Sequence, residues 1–316
     1  MKDLKIVFYG TPEFAVHQLD YLYQQKCIIV AVVTAPDKPS GRGKKIKISA
    51  VKKYALTKQL PLLQPTNLKA PSFQEAIEER NPDCQVVVAF RMLPKNIWSL
   101  SRLGTINLHA SLLPNYRGAA PINWVIKNGE RHSGLTTFLI DEQIDTGAML
   151  LQEKIELYPE ETAGSLHDRL AALGGPLLYN TIVQLDAGEL QPQVQQLQGN
   201  EKMAPKLDKA NMRIDWKEPL PSIAQHIRAM SPYPGAWTVF IDPKGSEEIL
   251  KIFSAKIKIE KHHLPPHQLF IRDREMLITT PEGYLICEEV QLPNKRKMTA
   301  SALLNGYTFD KNTRIY

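Results

Sequence analysis

The first half of the chain alternates short apolar runs with longer stretches in which apolar residues recur every three or four positions. Lys5 to Tyr9 is a short run, and Ile28 to Thr34 is continuous, as a strand buried on both faces requires. Between them Thr11-Pro12-Glu13 is a good helix start with proline in its first turn, and the spacing predicts a helix to about Gln25. Gln85 to Phe90, Thr105 to His109 and Leu135 to Ile140 are further candidate strands. Strands separated by helical stretches predict an α/β fold with a doubly wound, mostly parallel, Rossmann-like sheet. Such sheets hold their sites at the carboxyl ends of strands, where Gly10, Asn107, His109 and Asp141 are expected to fall.

The pattern then changes. Thr162 can cap a helix in which Leu166, Leu170, Leu173, Leu177 and Leu178 recur at helical spacing, and Gly174-Gly175 before Pro176 implies a break or close packing. The polar stretch Gln191 to Asn200 reads as a linker, or as an extended strand along the first domain. Beyond Pro205, Ser222 to Met230 predicts a short helix that ends at Ser231-Pro-Tyr-Pro-Gly-Ala236. Alternating segments at 237–241, 249–259, 276–280 and 285–291 then predict a small antiparallel, OB-like β-barrel. The division expected is a catalytic domain at 1–190, a linker at 191–204 and a β-barrel domain at 205–316.

Composition narrows the class. A hydrophobic fraction of 43% and a charged fraction of 23% are ordinary for a globular protein. Cys27, Cys84 and Cys287 are too far apart in sequence to suggest a metal or redox pair, which fits buried packing thiols in a reducing cytoplasm. The first apolar run is too short for a signal peptide, and no window approaches the roughly 20 apolar residues of a membrane span, so no membrane partner is expected. No obligate protein partner is expected either. The net charge of +6 is unevenly placed: Lys38, Arg42, Lys44, Lys45, Lys47, Lys52 and Lys53 fall in one stretch with no acidic residue. With Gly41 and Gly43 around the guanidinium, that stretch suits phosphates or base edges of an RNA stem. From Pro205 onward 17 basic residues face 13 acidic ones, a second and weaker positive bias.

The chemistry gathers at residues 107–124 and 141–147. On a strand, Asn107 and His109 project from one face. A neutral amide donor, an imidazole and a carboxylate, each delivered from a strand end, are the parts of an acyl-transfer site without a covalent nucleophile. Spacing alone leaves Asp141, Glu142 and Asp145 open as the working carboxylate. The other histidines lack such context and read as structural or solvent-facing. No metal-ligand spacing is present, so no metal is expected. The first strand-to-helix turn has one glycine before Thr-Pro rather than Gly-x-Gly-x-x-Gly, which argues against a dinucleotide cofactor.

The strings Ser111-Leu-Leu-Pro-Asn-Tyr-Arg-Gly118, Ala120-Pro-Ile-Asn-Trp124 and Asp141 to Gly147 resemble the folate-dependent formyltransferases. The likeness continues at Phe8-Tyr-Gly-Thr-Pro-Glu-Phe14, at Pro36 to Lys44 and at Tyr233-Pro-Gly-Ala-Trp237, so it covers nearly the whole chain. It departs after Ala89, where the family often reads Tyr-Gly-x-Ile-Leu-Pro and this chain reads Phe90-Arg-Met-Leu-Pro94. The resemblance implies catalysis by Asn107, His109 and Asp145. It also implies folate contacts at Ser111, Leu112, Leu113, Pro114, Phe90 and Met92, and tRNA contacts at Arg42, Lys44 and Lys45. The expected reaction moves a formyl group from 10-formyltetrahydrofolate to the α-amine of initiator methionyl-tRNA. A nucleotide-linked amino sugar as acceptor, bare hydrolysis of the formyl-folate, and a non-catalytic RNA-binding module are the alternatives to that reading.

Overall fold

The computed structural model describes residues 4–40, 45–241, 245–310 and 313–316, with the backbone alone described at 39, 40, 45 and 46. The chain packs as two units, one of residues 1–121, 132–156 and 167–203, the other of residues 122–131, 157–166 and 204–316.

In the first unit β1 (Lys5–Gly10) passes into α1 (Glu13–Gln24), with Pro12 as the extended cap residue rather than inside the first turn. Gly10 serves close packing here: a Cβ on it would lie 2.6 Å from the Cβ of Ala15. There follow β2 (Ile28–Val33), the hairpin of β3 (Lys38–Ser40) and β4 (Lys45–Lys47), and α2 (Ala50–Thr57), whose Ser49 cap accepts from the Lys52 amide. Next come β5 (Leu62–Leu63), α3 (Pro71–Glu78), β6 (Cys84–Val88), α4 (Lys95–Trp98) and β7 (Thr105–His109). The sheet is completed by β8 (His132–Leu139) and β9 (Met149–Glu156); α5 (Pro121–Lys127), which precedes them, falls in the second unit from residue 122 on, and α6 (Ala163–Asp186), which follows, falls in the first from residue 167 on.

The seven-stranded sheet has the order β5-β2-β1-β6-β7-β8-β9. Its first five strands are parallel, while β8 runs antiparallel to β7 and β9 antiparallel to β8. This direction corrects one expectation. Ile106 faces Leu139, and the Ile140 amide donates to Thr105 O at 2.8 Å. The chain therefore leaves β8 beyond the Thr105 end of β7, and Asp141 does not share the carboxyl end that carries His109.

The core rests on β1, β6 and β7, where Ile6, Phe8, Tyr9, Val86, Val88 and Ile106 are fully buried. Each such side chain contributes about 1.5–3 kcal/mol by leaving water. The Tyr9 hydroxyl donates to Gln85 Oε1 at 2.6 Å and the Gln85 amide donates to Ile97 O at 2.8 Å, so the polar ends of these two buried side chains are paired. Helix α6 runs unbroken through Gly174, Gly175 and Pro176, so the glycines mark close packing and not a break. A Cβ at Gly174 would sit 2.8 Å from Leu108 Cδ2, and one at Gly175 2.5 Å from Tyr21 Cβ.

The second unit contains α7 (Lys209–Met212) and α8 (Leu220–Ala229) ahead of the strands β10 (Ala236–Ile241), β11 (Glu247–Ile259), β12 (Leu269–Arg272), β13 (Glu275–Thr280), β14 (Gly283–Gln291) and β15 (Met298–Thr299), then α9 (Ala300–Leu304). The sheet is antiparallel, in the order β10-β11-β14-β13-β12 with β15 against β14. Residues 313–316 bond to both of its edges: Val239 and Tyr316 exchange main-chain hydrogen bonds, the Ile315 amide donates to His267 O, and the Leu269 amide donates to Thr313 O. Those bonds close the sheet and remove its exposed edges. Among the described residues no helix is long and apolar enough to cross a membrane.

Candidate active site

Strand β7 presents Asn107 and His109 from one face. Asn107 lies between Val87 of β6 and Phe138 of β8, and His109 lies opposite Thr136. His109 is buried, at 7% exposure. Its Nε2 donates to Tyr116 O at 2.8 Å, and its Nδ1 stands 3.7 Å from Asp145 Oδ2. That second distance is one for an ion pair and too long for a hydrogen bond. An imidazolium would have both its N–H groups directed at oxygen. Half-buried Asn107 gives its side-chain amide to no other described residue, which leaves it the open donor on this face.

Asp145 reaches His109 because the loop after β8 folds back. Its backbone is left-handed, at φ 56°, and its Oδ2 accepts the Gly118 amide at 2.8 Å. Gly147 makes the return possible: a Cβ there would lie 1.7 Å from Leu139 O. The other two carboxylates are used elsewhere. Asp141 Oδ1 accepts from the Gln143 amide at 3.0 Å and from the Thr146 hydroxyl at 2.7 Å, an Asx turn within its own loop. Glu142 pairs with Lys95 on the surface at 2.6 Å. Of the three candidates the geometry brings only Asp145 to the histidine.

The segment after His109 is tied to β8 and β9. Buried Thr136 donates to Ser111 O at 2.7 Å and accepts the Leu113 amide at 3.1 Å, while Gln152 donates to Leu113 O at 2.9 Å. The Ser111 hydroxyl donates to Asn115 O at 2.7 Å, Leu113 is buried, and Leu112 lies against Gly134, where a Cβ would meet it at 2.6 Å. Leu113–Pro114 is a cis peptide. Ser111, Leu112, Leu113 and Pro114 are thus held as a rigid wall beside His109.

Residues 89–94 continue from the carboxyl end of β6, the strand paired with β7. The Phe90 ring packs on Tyr9 at 5.7 Å, and Met92 is 67% exposed. Arg91, where the family often has glycine, donates to Pro65 O at 2.8 Å and to Thr66 O at 3.3 Å, and its guanidinium lies 5.2 Å from the Phe90 ring centre. It therefore braces this loop against residues 65–66. Arg91, Met92, Leu93 and Pro94 line one side of a cavity of about 340 Å³, and Thr66 to Lys69 line the other.

Arg42 and Lys44 lie outside the described residues, as does the side chain of Lys45. Nearby, Lys52 is paired with Asp37 at 2.6 Å, so that lysine is not free for a phosphate. The interaction with Lys52 also holds the Asp37 carboxyl below its ordinary range. Burial pushes the Cys84 and Cys287 thiols up to about 12, which makes them inert packing residues.

Sequence reasoning missed the partners that arrange the trio: Tyr116 through its carbonyl, Gly118 through its amide, and Gln195. The first two act through the backbone, which no side-chain pattern reports. Gln195 sits in a polar run without periodicity. It is buried, gives Nε2 to Asp145 O at 2.9 Å and to Gly147 O at 2.8 Å, and its Oε1 accepts from Arg117.

Comparison with known proteins gives a consistent result. Residues 4–182 match the family model described as "Formyl transferase", and residues 206–308 match "Formyl transferase, C-terminal domain". The methionyl-tRNA formyltransferase of Flavobacterium johnsoniae is 48% identical over 316 residues, all of both chains. That of Bacteroides thetaiotaomicron is 42% identical over 310 residues, 97% of this chain and 96% of the other. Among solved structures, HypX from Aquifex aeolicus in complex with tetrahydrofolic acid matches 97% of this chain at a TM-score of 0.66 and 18% identity, with this chain spanning 48% of it. An N-formyltransferase from Helicobacter canadensis, in complex with folinic acid and dTDP-3-aminofucose, matches 90% of this chain and 99% of its own at 0.64 and 20% identity. At these identities the structural matches speak for the fold.

Proposed function

The chain belongs to the formyl transferase family, and on that premise we propose that it moves a formyl group from 10-formyltetrahydrofolate to the α-amine of methionine esterified to initiator tRNA. The observation that carries the reading is the meeting of Asn107, His109 and Asp145 on one face of β7, in a chain whose full-length relatives are methionyl-tRNA formyltransferases.

The residues present suit a folate donor. Walls 111–114 and 89–94 flank the strand that carries Asn107, one fixed by Thr136 and Gln152 and the other by Arg91, so their main-chain groups are preorganised for a flat heterocycle. The bound folate supplies the formyl carbon. An aminoacyl ester has an unusually acidic ammonium, so a neutral amine is available near pH 7 to attack it. Asn107 donates a fixed hydrogen bond to the formyl oxygen as negative charge develops there. His109, held between Tyr116 O and Asp145, adds positive charge beside that oxygen, and the departing nitrogen takes up the proton released by the amine, relayed through Asp145 or water. Asp145 balances the imidazolium and accepts the proton that the amine releases, directly or through water. The trio contains no serine or cysteine, and the reading is direct transfer to the amine.

The binding roles divide between the ends of the chain. Residues 1–190 carry the chemistry. The basic stretch with Arg42, Lys44 and Lys45 contacts RNA phosphates, residues 205–316 contribute a second RNA contact of their own, and the reaction is placed in the cytoplasm, where the tRNA is charged.

The test is formyl transfer from labelled 10-formyltetrahydrofolate, with methionine-charged initiator tRNA, charged elongator tRNA and a nucleotide-linked amino sugar as competing acceptors. Formylation confined to the initiator tRNA is expected. Formylation of the sugar, or hydrolysis indifferent to acceptor, would reject the acceptor assigned here.

A further inference from the structure

We infer that Gln195 is a positioning residue for the reaction, a single amide that cross-braces the two loops on either side of His109. The inference rests on the reading of His109 and Asp145 as catalytic residues.

All four hydrogen-bonding positions of the amide are used. Both hydrogens of Nε2 go to main-chain carbonyls of the return loop, Asp145 O at 2.9 Å and Gly147 O at 2.8 Å. Both lone pairs of Oε1 are taken by Arg117, from Nε at 3.1 Å and Nη2 at 2.6 Å. Two carbonyls on one side and a guanidinium on the other leave a single possible orientation for the amide. Gln195 is 7% exposed, so these bonds meet little competition from water.

The bonded groups adjoin the ones that hold the imidazole. Asp145 is the left-handed residue of its loop, and its own carbonyl is the atom Gln195 grips. On the other side Arg117 lies between Tyr116, whose carbonyl receives the His109 Nε2 proton, and Gly118, whose amide fixes Asp145 Oδ2. Gln195 thereby sets the separation of the two oxygens between which His109 sits. A misplacement of about 1 Å at a reacting group can cost on the order of 10²-fold in rate.

The segment that carries Gln195 has anchors of its own. Gln193 and Met149 exchange main-chain hydrogen bonds at 2.8 Å, Lys202 O accepts the Tyr116 amide, and the Lys202 amide donates to Asn115 Oδ1 at 3.0 Å. Substitution at 195 therefore removes the brace and leaves the segment attached.

Two variants at this position separate positioning from general stability. Gln195→Ala removes the amide. Gln195→Glu keeps its shape and its acceptor for Arg117 but has no N–H for the Asp145 and Gly147 carbonyls. Both are expected to lower kcat about 10- to 100-fold with KM for each substrate within about threefold. Gln195→Glu is expected to do no better than Ala despite its shape. Adding Gln195→Ala to Asp145→Asn should cost clearly less than the product of the two single losses, because one arm of the brace acts by placing Asp145. A kcat within about threefold of the parent in both variants would overturn the inference, as would rescue by Glu or a full multiplicative loss in the Asp145→Asn background. A parent-like rate for Asp145→Asn alone would instead reject the catalytic reading beneath it.

Discussion

His109 and His226 are buried to nearly the same degree, at 7% and 8% exposure, and each gives an Nε2 proton to a main-chain carbonyl, Tyr116 O at 2.8 Å and Met212 O at 3.2 Å. They differ in the charge on their other side. His109 has the Asp145 carboxylate 3.7 Å from Nδ1. His226 has the cation of Lys127 in its surroundings, and burial followed by that cation pushes it down to about 4. Lys127 is itself lowered by burial; its Nζ lies 4.8 Å from the Trp124 ring centre and donates to Asn211 O. Burial and a carbonyl partner thus say nothing about what a histidine does. The sign of the neighbouring charge does: one ring is set against an anion, and the other is kept neutral inside a packed unit.

Removing the anion breaks the comparison most severely. Asp145→Asn should lower kcat about 10³-fold, since it takes the counter-charge from His109 and the acceptor from the amine proton, and single-turnover transfer measures this directly. Asn107→Ala comes next, at about 10²-fold in kcat with KM little changed, the usual cost of one donor to a developing oxyanion.

His226 tests the other side of the comparison, through stability. Its folded form stays neutral down to about pH 4, while the unfolded chain takes up a proton near the ordinary value of 6.5. The unfolded state therefore binds more protons between those limits, and stability is lost as the pH falls through that window, with no effect above it. The full penalty is on the order of 3 kcal/mol. Thermal melts from pH 7 to 4.5 should be flatter for His226→Gln than for the parent, with transfer at pH 7 unchanged. Equal slopes would mean that His226 does not carry the penalty.

The smallest effect is expected at Glu142. Its exposed pair with Lys95 is worth at most about 1 kcal/mol, and Glu142→Gln should leave kcat within about twofold. A large loss there would move the working carboxylate away from Asp145.

Much of this arrangement could be read from the sequence, and the reasons for the rest are physical. Thr105–His109 was legible to the residue, and β1, β2, β6 and β8 to within a few residues, because buried strands of this sheet are continuous apolar runs; β5, two residues long, and β9, polar in its second half, were not predicted. Period-two alternation gives a strand's faces but not its direction. The reversal of β8, and with it the displacement of Asp141 from the site, was therefore invisible. Strand β12 was missed because Leu269–Arg272 is only four residues long, and closure of the second sheet by residues 313–316 depends on pairing that no local pattern encodes. At the site, spacing offered three carboxylates; an Asx turn took one and a surface lysine another. Asn107 and His109 could be named from the strand pattern and Asp145 only through the family resemblance, whereas the groups that adjoin them are a carbonyl, an amide and a glutamine in an aperiodic run.

The most direct measurement of the central claim is single-turnover formyl transfer to methionine-charged initiator tRNA in His109→Ala beside His226→Gln at pH 7. Loss of about 10³-fold in the first, with the second at the parent rate, is the result expected from a ring set against Asp145. Transfer within about tenfold of the parent in His109→Ala would contradict it, and would place the chemistry on groups other than the face of β7.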